Sequence, residues 1–123
     1  MTCDSELFRV DSLTVDGEVL GIEDGSATIE GAAGFETEAA LASVGDDATT
    51  RKRVPRIVKA KIFFKLGSSV EKFTKMCNVQ IVMSNLHTGQ RIRAGKCRFG
   101  KMGPIGAGPV DIEFNVLQPF QFL

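Results

Sequence analysis

Apolar and polar residues alternate with a period of two along several stretches of the chain, which is the pattern of half-buried β-strands. In residues 55–66, alternate positions are apolar from Val58 onward, and lysines occupy most of the other face. In residues 110–116 the alternation is complete, and the polar row carries Asp111 and Glu113. Both stretches predict strands that bury one face against a core.

Turn residues separate these stretches from shorter ones. Alternating residues flank the pair Asp16-Gly17, which predicts a hairpin with a type I′ turn. Residues 27–31 begin another extended run, residues 79–84 predict a strand, and residues 90–99 predict its partner. Because arginine and lysine interrupt any apolar face in residues 90–99, we expect that strand to lie at a sheet edge or at an interface.

A short helix is predicted over about residues 69–77. Ser68 and Glu71 have the spacing of a capping box, with Ser68 as the N-cap. Val70, Phe73 and either Cys77 or Met76 recur at helical spacing, so we expect the helix to lay one apolar stripe on the sheet.

From about residue 31 to residue 54 the chain is rich in Gly, Ala, Ser, Thr and acidic residues, and it has no clear period. Long connections without structure of their own are uncommon in compact domains and are usually functional. We predict that Phe35 to Arg53 forms a projecting arm or long hairpin that packs on a neighbouring subunit; a mobile surface loop is the alternative. The candidate interface residues of this segment are Phe35, Asp46, Asp47, Arg51, Lys52 and Arg53.

The segment from Leu117 to Leu123 is largely apolar. An exposed group of large apolar side chains is a liability on a small monomer. Phe120 and Phe122 are therefore expected to pack on the subunit's own core or on a neighbour, and they complete the set of candidate interface residues.

With 123 residues the chain fits a single domain. Its elements follow in the order hairpin, strand, arm, strand, helix, hairpin and strand, which predicts a mostly β fold. We expect an antiparallel β-sandwich or open barrel with one short α-helix and the long projecting arm loop.

The formal net charge is zero, but the charges are sorted along the chain. Residues 1–50 carry twelve carboxylates against Arg9 alone, whereas residues 51–103 carry fourteen lysines and arginines against Glu71 alone. Three explanations compete. Acidic and basic strands pair inside one sheet, an acidic face of one copy meets a basic face of the next, or the basic half binds nucleic acid.

No motif in the chain indicates catalysis, a cofactor or a metal, so we expect a protein that is not an enzyme. His87 is the only histidine and lies in a predicted turn, and the three cysteines have no metal-ligand spacing. An intersubunit disulfide between Cys3 and either Cys77 or Cys97 is one hypothesis for the thiols. Burial of Cys77 and Cys97 as small apolar residues is the other.

Two further classes of function are not indicated. Trp and Tyr are absent, and no aromatic platform for stacking single-stranded bases is visible. Nowhere do about 18 apolar residues follow one another, and the first residues lack a basic stretch followed by an apolar run. We therefore expect neither a membrane span nor a secretion signal.

Taken in order, the residues resemble the tail tube proteins of contractile-tailed bacteriophages, especially the Mu-type family. The likeness rests on the early Val-Asp-Gly hairpin, the long polar arm, a strand, and a short helix written SSVEKFTKMC. The segment NVQIVMSNLHTGQRIRAGKCRFG follows, with a TGQ turn between its strands, and a Gly-rich turn precedes PVDIEFNV. The basic content from Arg51 to Lys101 and the three cysteines depart from the family pattern.

The resemblance implies that copies of this chain form hexameric rings, which stack into a hollow tube inside a contractile sheath. Genomic DNA would pass through the lumen without specific binding. The partners would be other copies, the sheath protein, and baseplate and tail-terminator proteins, in a virion tail assembled in the host cytoplasm. The resemblance also implies that strands joined between subunits line the lumen, with Asp111 and Glu113 as candidate lumen acids, and that the arm contacts the adjacent ring.

Two alternatives to this function remain. A tube protein of a related secretion or contractile-injection system would share the fold. A small β-barrel nucleic-acid-binding module would use residues 51–56 and 91–98, and would be a monomer with salt-sensitive affinity for DNA.

Overall fold

The structure, a computed structural model, describes residues 6–65 and 69–123 of the chain. Strands predominate in these ranges, and one short helix lies among them, so the prediction of a mostly β protein with antiparallel sheets is confirmed. The elements are β1 (Ser12–Val15), β2 (Glu18–Leu20), β3 (Thr28–Glu30), β4 (Phe35–Ala40), β5 (Ala48–Arg53), β6 (Arg56–Ile62), α1 (Val70–Thr74), β7 (Val79–Ser84), β8 (Arg91–Met102), β9 (Val110–Val116) and β10 (Gln121–Phe122).

The strands form two sheets. In the main sheet the order is β2-β1-β7-β8-β9-β6-β3, and β10 pairs with β8 beyond the end of β9. Strands β4 and β5 form the second sheet, a hairpin that pairs with no third strand in the part of the chain described. The arm of the sequence is therefore set apart from the sheet that carries the core.

The segment after β2 lies against β6, the strand next to the opposite edge of the main sheet. The Phe63 N–H donates to the Gly21 carbonyl oxygen at 3.1 Å. The Glu23 N–H donates to the Lys61 carbonyl oxygen at 2.8 Å. Residues 21–23, which continue directly from the edge strand β2, thus lie against the end of β6.

The first hairpin has the predicted turn. Val15 of β1 pairs with Glu18 of β2 in antiparallel register. Between them Asp16 and Gly17 have φ angles of 50° and 83°. A type I′ turn requires this left-handed conformation at both central positions, and Asp and Gly tolerate it.

The core lies on one face of the main sheet. On β6 and β9 the predicted alternation holds, and the apolar rows of both strands are buried. Full burial of one large aliphatic or aromatic side chain contributes about 1.5–3 kcal/mol, so this layer is the main source of stability. The largest fully buried side chains are Phe114, Leu13, Ile62, Ile81, Met83, Ile112, Val58, Val110 and Cys97.

Strand β8 corrects one prediction, because it lies inside the sheet between β7 and β9 rather than at an edge. Its pairing with β7 shifts between Ala94 and Cys97, where Lys96 has a φ of 50°. Its pairing with β9 shifts again around Gly100. Each bulge adds one residue and reverses the side-chain alternation. The basic residues therefore face outward along the whole strand, while Ile92, Ala94 and Cys97 are buried.

Helix α1 is shorter than predicted. Its N-cap is Ser69, whose side chain makes no capping hydrogen bond, so the predicted capping box is wrong; Ser68 itself lies outside the described residues. Phe73 is buried on the core, as predicted, but Cys77 lies beyond the helix and is exposed. No helix in the described ranges is long and apolar enough to cross a membrane.

Candidate functional site

The most unusual surface of the molecule is the hairpin of β4 and β5. Phe35 pairs with Arg53 at its base and Ala40 with Ala48 near its tip. All residues of both strands are exposed, and the loop of residues 41–47 is exposed as well. The segment forms the long hairpin that was one of the two predicted forms, and that hairpin buries none of its residues on its own subunit. Its packing on a neighbouring subunit stays a prediction.

Two glycines lie at the base of the hairpin, where the backbone passes close to Pro55 and Arg56. Gly31 and Gly34 have φ angles of 65° and 80°, which favour glycine. A Cβ atom on Gly31 would overlap the Pro55 carbonyl oxygen, and one on Gly34 would overlap the guanidinium of Arg56. The Val54 N–H donates to the Gly34 carbonyl oxygen at 3.1 Å. The two strands therefore leave the body of the subunit side by side and in close contact with it.

Charges of opposite sign lie on the two strands. Strand β4 carries Glu36 and Glu38 and no cation, whereas β5 ends in Arg51, Lys52 and Arg53 and has no acid. Among the candidate interface residues, Phe35 also contributes a contact, because the Arg51 guanidinium lies 4.3 Å from the centre of its ring. This cation–π contact orders the base of one hairpin face.

The tip of the hairpin combines apolar and acidic residues. The side chains of Leu41 and Val44 are 83% and 90% exposed. Asp46 is exposed, and the Asp47 carboxylate accepts a hydrogen bond from the Ala42 N–H at 2.9 Å. Leu41 and Val44 are thus the large apolar side chains that the tip presents to solvent.

The two phenylalanines of the last segment have different environments. Phe120 is only 7% exposed and belongs to the core cluster, so its assignment to an interface is wrong; it packs on its own subunit. Phe122 is 63% exposed although it lies in β10, and Leu117 and Leu123 of the same segment are exposed as well. Phe122 therefore remains a candidate interface residue.

The candidate lumen acids lie in a row of alternating charges. Glu113 on β9 is flanked by the ammonium groups of Lys59 on β6 at 3.4 Å and Lys101 on β8 at 3.8 Å. Lys59 also binds Glu30 at 3.0 Å, and this hydrogen bond is the main cause of the raised pKa of Lys59. Asp111 lies directly across from Lys61. The first explanation of the charge pattern, pairing across strands, thus accounts for this row, and Glu113 is largely offset by its neighbours.

The same residues line a groove of about 530 Å³ at the ends of β6, β8 and β9. Its walls carry three lysines and two acids, so they present no uniform charge to a ligand. The lining residues that carry charge are Lys59, Lys61, Lys101, Asp111 and Glu113.

The outer face of β8 differs from this row. No acidic side chain lies within 4.0 Å of its remaining basic residues in the described ranges. Pairing inside the sheet therefore leaves part of the basic half unmatched. These residues are Arg91, Arg93, Lys96 and Arg98.

The cysteines do not share one role. Cys97 is fully buried, and its thiol lies 3.3 Å from the Ala94 carbonyl oxygen, so a disulfide to another subunit through Cys97 is excluded by burial. Cys77 is exposed, which contradicts its assignment to the core. Cys3 lies outside the described residues, and the hypothesis of a bond between Cys3 and Cys77 stays a prediction.

Burial raises the pKa of the Cys97 thiol from 9.0 to about 11. A raised pKa means that this neutral thiol stabilises the fold fully below about pH 9, and that the contribution is lost as the pH rises toward 11. We expect the free energy of unfolding to fall more steeply over that range in the native chain than in Cys97→Ala. Urea denaturation at a series of pH values measures both slopes, and parallel slopes would contradict the burial of this thiol.

His87 lies exposed in the turn between β7 and β8. The buried Asn85 orders that turn, because its side-chain oxygen accepts the N–H groups of His87 at 3.0 Å and Thr88 at 3.3 Å. Among the described residues, no group of three or more His, Cys, Asp and Glu side chains is placed to hold a metal ion.

Four exposed residues of the hairpin were not predicted to belong to the site. Leu41 and Val44 are apolar residues within an otherwise small and acidic stretch, and this was the available signal. The acids of β4 were also visible, because their charge is opposite to that of residues 51–53 at the other end of the arm. The residues missed are Glu36, Glu38, Leu41 and Val44.

The hairpin, Phe122 and the outer face of β8 are thus the candidate functional surfaces. No protein-family model matches the chain, and no curated protein is significantly similar to it.

Proposed function

We propose that this chain is a structural subunit that assembles with copies of itself into stacked hexameric rings, as the tail tube protein of a contractile bacteriophage tail does. The observation that carries the proposal is the hairpin of residues 35–53, which has regularly paired strands but is exposed at every position. An isolated two-stranded hairpin is marginal in water, and natural proteins cover or protect such edges. A partner that covers the hairpin accounts for both facts.

The partner is a second copy of the same chain. The formal net charge is zero, and the hairpin itself carries both signs on separate strands. Surfaces of opposite sign on one molecule favour head-to-tail contacts, which close into rings or continue as filaments.

The body of the subunit is an open barrel in this proposal. Residues 21–23, which follow edge strand β2, lie against the end of β6, next to the other edge strand, β3, and so bring the two edges of the main sheet toward each other. The hairpin and the outer edge of β10, with Phe122, then supply the contacts between subunits. The hairpin tip, with Leu41 and Val44, would reach the adjacent ring.

Genomic DNA would pass through the lumen without specific binding, and the sheath, baseplate and tail-terminator proteins would be the other partners. A row such as that of Glu113, in which acids alternate with lysines, has little net charge to hold a polyanion. The same subunit would serve in a related secretion or injection system.

Negative-stain microscopy of the purified protein at high concentration tests the proposal. Hollow rods or six-fold rings are expected. A monomer at every concentration would contradict the proposal.

A nucleic-acid-binding module is the second candidate, and the outer face of β8 favours it. Arg93 and Arg98 lie there without an acidic partner within 4.0 Å in the part of the chain described. A monomer that binds DNA with affinity falling steeply as salt rises would support this candidate over the tube.

Reversing the charge of β5 should block assembly. In the variant Arg51→Glu with Lys52→Glu and Arg53→Glu, the basic strand no longer complements any acidic surface, so rods should be absent or much shorter. Because all three side chains are exposed, the midpoint of urea unfolding should change little. Exchange of Glu71 and Lys75 on α1, both 79% exposed, is a matched control that should assemble normally. Unchanged rod length in the β5 variant would refute the assignment of this strand to an interface.

A further inference from the structure

We propose, resting on the proposed function, that hairpins of neighbouring copies within one ring pair edge to edge, with the basic strand β5 of one copy beside the acidic strand β4 of the next. This contact lies within a ring and is distinct from a contact between the tip and an adjacent ring. The occupant of the hairpin's open edges is thus a second copy of this chain.

The backbone supplies the first argument. Among the described residues β4 pairs only with β5, so each strand keeps one unpaired edge. The two strands are antiparallel and equally long, and both are exposed throughout. If two hairpins point the same way, β5 of one copy is antiparallel to β4 of the next, so the pairing repeats the hydrogen-bond pattern already present inside the hairpin.

Charge selects which edges meet. Two β4 edges would place Glu36 and Glu38 beside the same carboxylates, and two β5 edges would place three cations beside three others. Like charges directly opposite each other on adjacent strands are destabilising, whereas unlike pairs stabilise. Pairing of β5 with β4 is therefore favoured and both like pairings are disfavoured, which gives a head-to-tail contact of the kind that closes a ring.

The distances of the charged residues from the base of the hairpin determine the register between two copies. Within the hairpin Lys52 lies directly across from Glu36, so the two side chains are at the same distance from the base. In two hairpins that stand level, Lys52 of one copy therefore lies beside Glu36 of the next. On the opposite face Arg51 of one copy approaches the neighbour's Phe35, as it already contacts the Phe35 of its own hairpin. The half nearer the tip has alanine and threonine, which allow close approach of the edges.

Charge exchange between edges provides the test. The all-basic hairpin variant carries Glu36→Lys with Glu38→Lys. The all-acidic hairpin variant carries Arg51→Glu with Lys52→Glu and Arg53→Glu. The exchanged variant carries all five substitutions, and it restores opposite signs across the hairpin with the polarity reversed.

Each of the first two variants alone should fail to form rods at ten times the concentration that suffices for the native chain. Their equimolar mixture should form rods that contain both chains in equal amounts, as sedimentation and quantification of each chain in the pellet would show. The exchanged variant should form rods by itself but should be excluded from rods of an affinity-tagged native chain. The control is the exchange of Glu71 and Lys75, which should enter native rods freely.

Normal assembly of either single-sign variant, an unassembled mixture, or free entry of the exchanged variant into native rods would each overturn edge pairing. These results would leave the proposed function intact, since native rods are the reference in every comparison. Absence of rods from the native chain itself would instead remove the proposed function and edge pairing together.

Discussion

Replacement of residues 35–53 by an Asn-Gly turn should give a subunit that folds and no longer assembles. The Val54 N–H already donates to the Gly34 carbonyl oxygen at 3.1 Å, so the two ends of the excised segment are adjacent and a two-residue turn can join them. No residue of the strands or of their loop is buried, so the core keeps its packing. Unfolding followed by circular dichroism should be cooperative, with a free energy of unfolding within about 1 kcal/mol of that of the native chain. Electron microscopy should show neither rings nor rods.

A full-length control separates loss of the hairpin from loss of its charge pattern. In that control the positions of Glu36 and Lys52 are exchanged, which keeps the composition and the cross-strand pair but mixes the signs on each edge. In level hairpins position 52 of one copy lies beside position 36 of the next, so the exchanged pair still has opposite signs between copies. This control should therefore fold normally and assemble by itself as the native chain does. Rods of ordinary length from the truncated subunit would contradict the role of the hairpin.

Phe114→Ala should lower the free energy of unfolding by about 3–5 kcal/mol, the usual cost of truncating a fully buried phenylalanine. Phe114 has no exposed surface and lies on β9, between the apolar rows of β6 and β8. Because small domains are stable by only about 5–15 kcal/mol, this variant should be marginally folded. Equilibrium urea denaturation measures the loss.

Phe122→Ala removes the same atoms from a side chain that is 63% exposed, and so provides the matched control. Its free energy of unfolding should change by about 0.5 kcal/mol or less, while its assembly should weaken if β10 lies at a subunit contact. Equal losses of stability in the two variants would contradict the position of the core.

The sequence predicted those parts of the fold in which the conformation of a residue depends on residues close to it in the chain. Strand β9 alternates without interruption, and Asp16-Gly17 is a pair that a type I′ turn requires. In β6 the buried row of Val58, Ala60 and Ile62 was visible in the same way. Period and turn chemistry suffice for such elements.

Strand β8 could not be predicted in this way, since its two bulges change the phase of the alternation. Its buried residues Ile92, Ala94 and Cys97 are separated by two and then three positions, so the apolar face is broken in sequence but continuous in space. The basic side chains between them suggested an edge. Only the pairing with β7 and β9 reveals that the strand is central.

The sequence indicated which segment forms the candidate site but not the structure of that segment. The arm's composition indicated an unusual surface between residues 31 and 54, and the structure forms a hairpin there. Its paired register depends on contacts between residues far apart in sequence, which no local pattern specifies. The sequence shows acids at one end of the arm and cations at the other, but only that register shows that they face each other across paired strands.

The charge pattern of the whole chain has more than one cause. Lys59 with Glu30 and Lys72 with Glu18 join the basic and acidic halves inside the subunit at 3.0 and 2.5 Å. Such exposed pairs contribute little to stability, typically about 0–1 kcal/mol each. The hairpin and the outer face of β8 keep charges that these pairs do not match, and those charges are the ones available to a partner.

Hydrogen–deuterium exchange of the backbone amides in residues 35–53 tests the central claim most directly. In dilute monomer the amides on the two open edges of the hairpin should exchange rapidly, because nothing covers them. At concentrations that produce rods the same amides should become protected, while amides of β9, already inside the main sheet, should change little. Rapid exchange of the hairpin edges in assembled material would show that other copies do not cover this surface, and would contradict the account.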